Sequence, residues 1–265
     1  MLFTPLIIKK MAIRSGLASL GAAQPIPDAP ELQEPCVSTK PGRKKVQTKA
    51  ERRAETTEQL LDAAENLFSQ RGFHGVALKD VAKEVGVHHT LVNYYFDDKQ
   101  TLFEQVFARR AIVANKVRLE ALDRYEEEVG ENITVEGALR AFLDTNLDLY
   151  DKGGPQWRNA GTLAAVVAST PDWGAEMFDK WFDPVVLRLT GLLERAMPEC
   201  SREEIFWGFH FVSGALMLTL ARTGRIDKLS EGLCLSDDFD AVKARLATFM
   251  AAGFREICSG GKPPA

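Results

Sequence analysis

The sequence predicts an all-α chain in which a small three-helix head carries a helix-turn-helix and a larger helical domain follows. Three observations predict it. Apolar residues recur at helical spacing through most of the chain after Leu60, and strand-like alternation is absent. Gly86 sits between two short apolar-faced segments, where a helix-turn-helix needs a residue that can leave the right-handed helix.

Residues 1–46 are rich in Ala, Pro, Gly and Ser, and the prolines at 25, 27, 30 and 35 forbid a long helix, so a disordered extension with a basic end is expected. That end is either an arm for a minor groove or a solvated tail. The head is expected over 47–111. Leu60, Ala64, Leu67 and Phe68 mark its first helix, which Arg71-Gly72-Phe73 stops. Val81, Ala82 and Val85 before the Gly86 bend face Val87, Leu91 or Val92 and Phe96 after it. His88, His89, Thr90, Asn93, Tyr94 and Tyr95 remain as the polar face that a recognition helix would offer to a major groove. An ordinary helical hairpin with a solvated face has the same spacing. Asp97-Asp98-Lys99 then opens a new helix, with acidic residues at its positive end.

The run from Leu60 to Phe73, Asp80-Val81-Ala82, Gly86-Val87, Tyr94-Tyr95-Phe96 and the Lys99/Leu102 pair together resemble, in register, the amino-terminal domain of the TetR family of transcriptional repressors. One position differs: Ala77 stands where the family usually caps a helix with Ser or Thr, a cap worth ~1 kcal/mol. The resemblance implies that His89, Thr90, Leu91 and Asn93 lie nearest base edges, beside His88, with Lys79 as a further contact. It implies that Tyr94, Tyr95 and Lys99 hold phosphates. Asn93 occupies a place where the family often has Tyr.

The body is expected over 112–258, with 259–265 as a disordered tail. A helical pattern runs from Thr101 towards Tyr125 as one long helix or two, and Glu126-Glu127-Glu128 closes it as a solvated face. Further helices are expected at about 135–149, ended by Gly153-Gly154-Pro155, and at about 156–168, 173–196, 202–223 and 238–257. Ser201 with Glu204 has capping-box spacing. In the last two, Phe206, Phe209, Val212, Gly214, Ala215, Leu218 and Thr219 lie along one helix and Val242, Leu246, Phe249, Ala252 and Gly253 along the other. The resemblance implies that these two helices form the interface of a homodimer; burial inside the monomer is the alternative.

Net charge is −4 over 265 residues, yet residues 1–100 carry +2 and residues 40–53 alone carry +6. Screening confines phosphate attraction to ~8–10 Å, so an acidic body is compatible with a basic DNA-facing edge. The four Cys, at 36, 200, 234 and 258, have neither disulfide-framework nor zinc-site spacing, which fits a reducing cytoplasm. No apolar run approaching the ~20 residues of a membrane span is read from the sequence, and residues 11–23 make a poor signal peptide. Either Met1 or Met11 serves as a start. His74, His88, His89 and His210 accompany no metal, phosphate or nucleophile motif, so neither catalysis nor a cofactor is expected.

Trp157, Phe178, Trp181, Phe182 and Phe211 either fill the body's core or line an effector cavity with His210 as a polar group; Asn146, Arg158 and Thr162 are further polar candidates. The run 181–187 together with 209–216 resembles, over a short stretch, the TetR subgroup that responds to fatty acids or acyl compounds. The expectation is a ligand-responsive regulator, a repressor released from a palindromic operator in double-stranded DNA by a small apolar effector. The rivals are an enzyme or carrier using the apolar body beneath a vestigial head, and a nonspecific DNA-compacting protein.

Overall fold

The computed structural model describes residues 48–170 and 173–259; the amino-terminal extension expected over 1–46, and 260–265 of the expected tail, lie outside the described residues. The described residues are helical with no strand: α1 Lys49–Arg71, α2 Leu78–Val85, α3 His89–Phe96, α4 Lys99–Val129, α5 Val135–Lys152, α6 Pro155–Ala168, α7 Gly174–Ala196, α8 Arg202–Ala221, α9 Arg225–Leu229, α10 Phe239–Lys243 and α11 Leu246–Cys258.

Local chemistry sets the ends. Thr48 and Glu51 form a reciprocal capping box at the start of α1, 3.2 Å and 2.7 Å. Ala77 offers no side-chain cap to α2, but the Asp80 carboxylate accepts from the Ala77 N–H at 2.9 Å, half of the missing arrangement. Asp98 caps α4 by accepting from the Thr101 N–H at 2.7 Å, and the bond holds its carboxyl below the ordinary value. Pro155 occupies the first turn of α6, where its missing N–H costs nothing.

α1, α2, α3 and the start of α4 close around Leu60, Ala64, Phe68, Val81, Val92, Phe96, Leu102 and Phe103, all fully or nearly fully buried. α4 is one continuous helix of 31 residues, so at ~1.5 Å per residue it carries the head's core directly into the body. Glu65 of α1, 2 % exposed, accepts from both Arg109 and Arg110 of α4 and fixes that crossing.

Four expectations are corrected. Glu126 is no bystander on a solvated face: it accepts from Arg195 and Arg188 of α7, and the Arg195 bond, then the Arg188 bond, hold its carboxyl below the usual carboxylate range. The helix expected over 238–257 breaks between α10 and α11, because Arg140 takes the Lys243 carbonyl at 3.3 Å and the Thr248 hydroxyl at 3.0 Å. Cys200 and Cys258 are joined in a disulfide although 58 residues separate them, since α8 and α11 pack together and bring the head of one to the tail of the other. Lastly, α8 is by length and composition apolar enough to cross a membrane, with mean hydropathy 1.3. Its apolarity is spread around the helix. One side is buried through Ile205, Val212, Leu216 and Leu220, while Trp207, Phe211 and Leu218 stand exposed on the other.

α8 lies close against α11. A Cβ at Gly208 would sit 2.2 Å from the Phe254 ring, so only glycine admits that ring at this crossing.

Candidate functional site

The bend between α2 and α3 has the geometry that a helix-turn-helix requires. Gly86 adopts φ 77° and ψ 29°, left-handed values that cost an L side chain ~1–2 kcal/mol. The Val87 N–H returns to the Ala82 carbonyl at 2.9 Å and closes the end of α2. His88 caps α3 through Nδ1, which lies 2.9 Å from the Thr90 hydroxyl, and its ring lies 4.5 Å from that of His89. Among the described residues no group of three or more His, Cys, Asp or Glu side chains is placed to hold a metal.

Lys79, His88, His89, Thr90, Asn93 and Tyr94 form one exposed polar surface, with Tyr94 69 % exposed. Leu91 is half-buried beside that surface. Tyr95 is half-buried and packs on the core. Lys99 is turned inward: its ammonium donates to the Phe73 carbonyl at 3.0 Å and lies 4.3 Å from the Phe73 ring centroid. Sequence reasoning did not single out Arg53 of α1. Its guanidinium lies 5.7 Å and 5.5 Å from the Tyr94 and Tyr95 rings and places a positive charge beside the recognition helix. Its membership of the basic run 40–53 was the available signal.

The body contains a cavity of about 720 Å³, within the ~300–1,000 Å³ of small-molecule sites. Phe142, Tyr150, Phe178, Phe182 and Met217 supply much of its apolar wall, and Arg118 reaches it from α4. Of the residues expected there, Phe178, Phe182 and His210 line it. His210 does so from an exposed position, its ring edge against Trp207 and Phe211. Trp157, Trp181 and Phe211 do not. Trp157 packs edge-on to Tyr150 under Arg110, Trp181 packs partly buried against the core with the Lys180 ammonium 5.1 Å from its ring, and Phe211 projects outward at 54 % exposure. Among the polar candidates, Asn146 is fully buried with neither amide atom partnered, and neither Arg158 nor Thr162 lines the cavity.

A second residue missed by sequence reasoning joins cavity and head. Trp173 immediately precedes α7, whose Gly174 and Ala175 line the cavity, and its indole packs 5.1 Å from the rings of both Phe73 and Phe103.

The fold and this surface define a helix-turn-helix DNA-binding regulator with a helical body. Residues 60–106 match the family described as bacterial regulatory proteins, tetR family, and residues 140–253 match the tetracyclin repressor-like C-terminal domain; together the matches span more than half of the chain. The chain belongs to the TetR family of transcriptional regulators. The biofilm operon icaADBC HTH-type negative transcriptional regulator IcaR of Staphylococcus aureus is 38% identical over 48 residues, 18% of this chain and 26% of the relative. The HTH-type transcriptional repressor BepR of Brucella suis is 35% identical over 74 residues, 28% of this chain and 35% of that protein. The aligned part thus spans about a quarter to a third of these relatives' length. A TetR-like regulator from Rhodococcus sp. RHA1 shares the fold with TM-score 0.52 at 20% identity, over 78% of this chain and 99% of its own. The hemolysin II transcriptional regulator HlyIIR does so with TM-score 0.51 at 20% identity, over 74% and 97%.

Proposed function

We propose that the protein is a homodimeric, ligand-responsive transcriptional repressor acting in the cytoplasm on a two-fold operator in double-stranded DNA. The observation that carries this reading is the exposed face of α3 beyond the Gly86 bend: His88, His89, Thr90, Asn93 and Tyr94 offer donors, acceptors and rings to a groove and stand outside the buried core. The two relatives are named a negative transcriptional regulator and a transcriptional repressor, which supports repression over activation.

Dimerisation is supported by a second surface. Trp207, Phe211 and Leu218 on α8 and Phe249 on α11 are exposed apolar side chains on two adjoining helices, which also carry Gly253 and the cavity-lining Gly214, each open to close approach. A self-complementary patch of this kind buries itself on a two-fold axis and sets two recognition helices about 34–36 Å apart, one turn of DNA.

The effector acts from the cavity. A ligand held between α7 and α8 favours one placement of the α7 start, and Trp173 transmits that placement to Phe73 and Phe103, so the dimer shifts towards a spacing that the operator does not fit. Selecting DNA from a random pool with the purified protein tests the reading. A two-fold motif with half-sites one turn apart is expected. Recovery of unrelated sequences bound with equal affinity would leave only nonspecific DNA attraction and overturn it.

A further inference from the structure

The cavity holds a charge without a counter-ion. Arg118 lies midway along α4 and is 3 % exposed, yet it forms no hydrogen bond or ion pair with any described residue. Its guanidinium carbon sits 4.7 Å from the Phe142 ring centroid and 5.6 Å from that of Phe182, and the Tyr150 phenol lies within electrostatic reach. Burial pulls its pKa down to about 10, so the group is still a cation at neutral pH. Glu65, a strongly buried charge at the α1–α4 crossing, is treated differently: it is met by Arg109 and Arg110.

Two ring faces alone do not account for Arg118. Cation–π attraction recovers only part of the hydration that a buried guanidinium gives up, and a charge in such a place is ordinarily paired. The carboxylates that line the cavity do not pair it. Asp179 and Asp183 of α7 line the cavity from exposed positions, as His210 of α8 does, so they belong to its solvent-facing rim. The site therefore has a buried cation, apolar walls and a rim that carries two carboxylates and one imidazole.

We propose that Arg118 anchors the carboxylate of a monoanionic amphiphile, a free carboxylic acid whose apolar tail fills the space between Phe142, Phe178, Phe182 and Met217 and points towards the rim. A guanidinium with no protein partner offers a carboxylate two parallel N–H donors, the strongest neutral-pH recognition available in an apolar site. The rim adds selectivity, because Asp179 and Asp183 would face the phosphates of a coenzyme A thioester or phosphate ester and repel them. This rests on the reading that the cavity receives an effector, and it names that effector's head group.

The test titrates the full-length protein with sodium salts of straight-chain acids from hexanoate to palmitate, with the matching alcohols and methyl esters, and with the coenzyme A thioesters, by calorimetry. At least one acid is expected to bind about tenfold or more tightly than its alcohol, ester and thioester. Arg118→Met should erase that preference while leaving alcohol binding intact, and should raise the melting temperature of the ligand-free protein by removing the unpaired charge. Arg118→Lys should keep part of the preference, which decides the matter should the Met variant fold poorly. Equal binding of acids and alcohols, tighter binding of the thioesters, no binding by any acid, or undiminished acid preference in both variants would overturn the anchor. Release from selected DNA is measured alongside: an acid that binds through Arg118 without release leaves the anchor standing and removes the inducer.

Discussion

The Trp173 indole packs against the Phe73 ring with centroids 5.1 Å apart, and this contact joins the loop before α7 to the loop after α1. Phe103 completes the cluster, edge-on to both. The cavity wall and the head are thus separated by one residue of sequence on the body side.

Trp173→Ala is therefore expected to weaken the communication between the sites more than either site. Operator affinity and effector affinity, each measured alone, should change by less than about threefold, whereas the effector's ability to lower operator affinity should largely vanish, a loss of ~1–3 kcal/mol of coupling. Unchanged release in this variant would move the transmission path elsewhere.

Glu65 carries the second link between head and body. Removing Glu65 leaves Arg110 without its counter-ion while Arg109 keeps Asp62 at 2.8 Å, and breaking a fully enclosed pair costs ~3–5 kcal/mol. Arg109 and Arg110 retain some water, at 18% and 22% exposure, so Glu65→Ala should cost nearer ~2–3 kcal/mol. Chemical denaturation measures it, and a loss below about 0.5 kcal/mol would show the pair to be ornamental.

Much of the head was legible because its requirements are local. Gly86 is needed for a left-handed angle, Asp98 for a cap, and Leu60, Ala64, Phe68, Val81 and Phe96 for one small core; each follows from residue type and spacing. The residues that sequence reasoning missed owe their roles to other helices. Arg118 sits in a helix with many charges, and nothing nearby says that α5 and α7 will enclose it. Trp173 reads as a helix start until Phe73 is brought to it. Cys200 and Cys258 acquire a partner only when α8 and α11 pack, and the helix expected over 238–257 breaks because Arg140, a hundred residues earlier, captures a carbonyl at the break.

The acid limb of stability should contain a recognisable Glu126 contribution. Its carboxyl is held below the ordinary 4.5 by Arg195 first and Arg188 second, so the stabilisation is complete above 4.5 and is lost as pH falls through the lower folded value. Glu126→Gln should lower the melting temperature near neutral pH and shrink its drop between about pH 5 and about pH 3. A drop as steep as that of the parent protein would assign the acid sensitivity to other carboxylates, of which Glu136 and Asp148 are similarly depressed.

Lys99 and Lys79 separate a structural lysine from one free to meet DNA. The Lys99 ammonium is engaged by the Phe73 carbonyl and ring, so Lys99→Ala should destabilise the head by ~1–2 kcal/mol. Lys79 is exposed, so Lys79→Ala should leave the melting temperature unchanged and reduce the salt dependence of operator binding by about one charge. Should Lys99→Ala instead melt like the parent and flatten the salt dependence, its side chain must swing out to a phosphate.

Phe211 distinguishes the assembly surface from the cavity. It is 54 % exposed, stacked with Trp207 at 6.1 Å, and stands outside the cavity wall, so an arginine there disturbs no buried neighbour in a single chain. On a two-fold axis the same charge would be desolvated and repeated on the partner. Phe211→Arg is therefore expected to yield folded monomers with the parent's helicity, to abolish tight binding to a two-half-site operator, and to leave a single half-site weakly bound. Sedimentation of an intact dimer would place the interface elsewhere. A variant that stayed dimeric and lost effector affinity alone would return Phe211 to the ligand site.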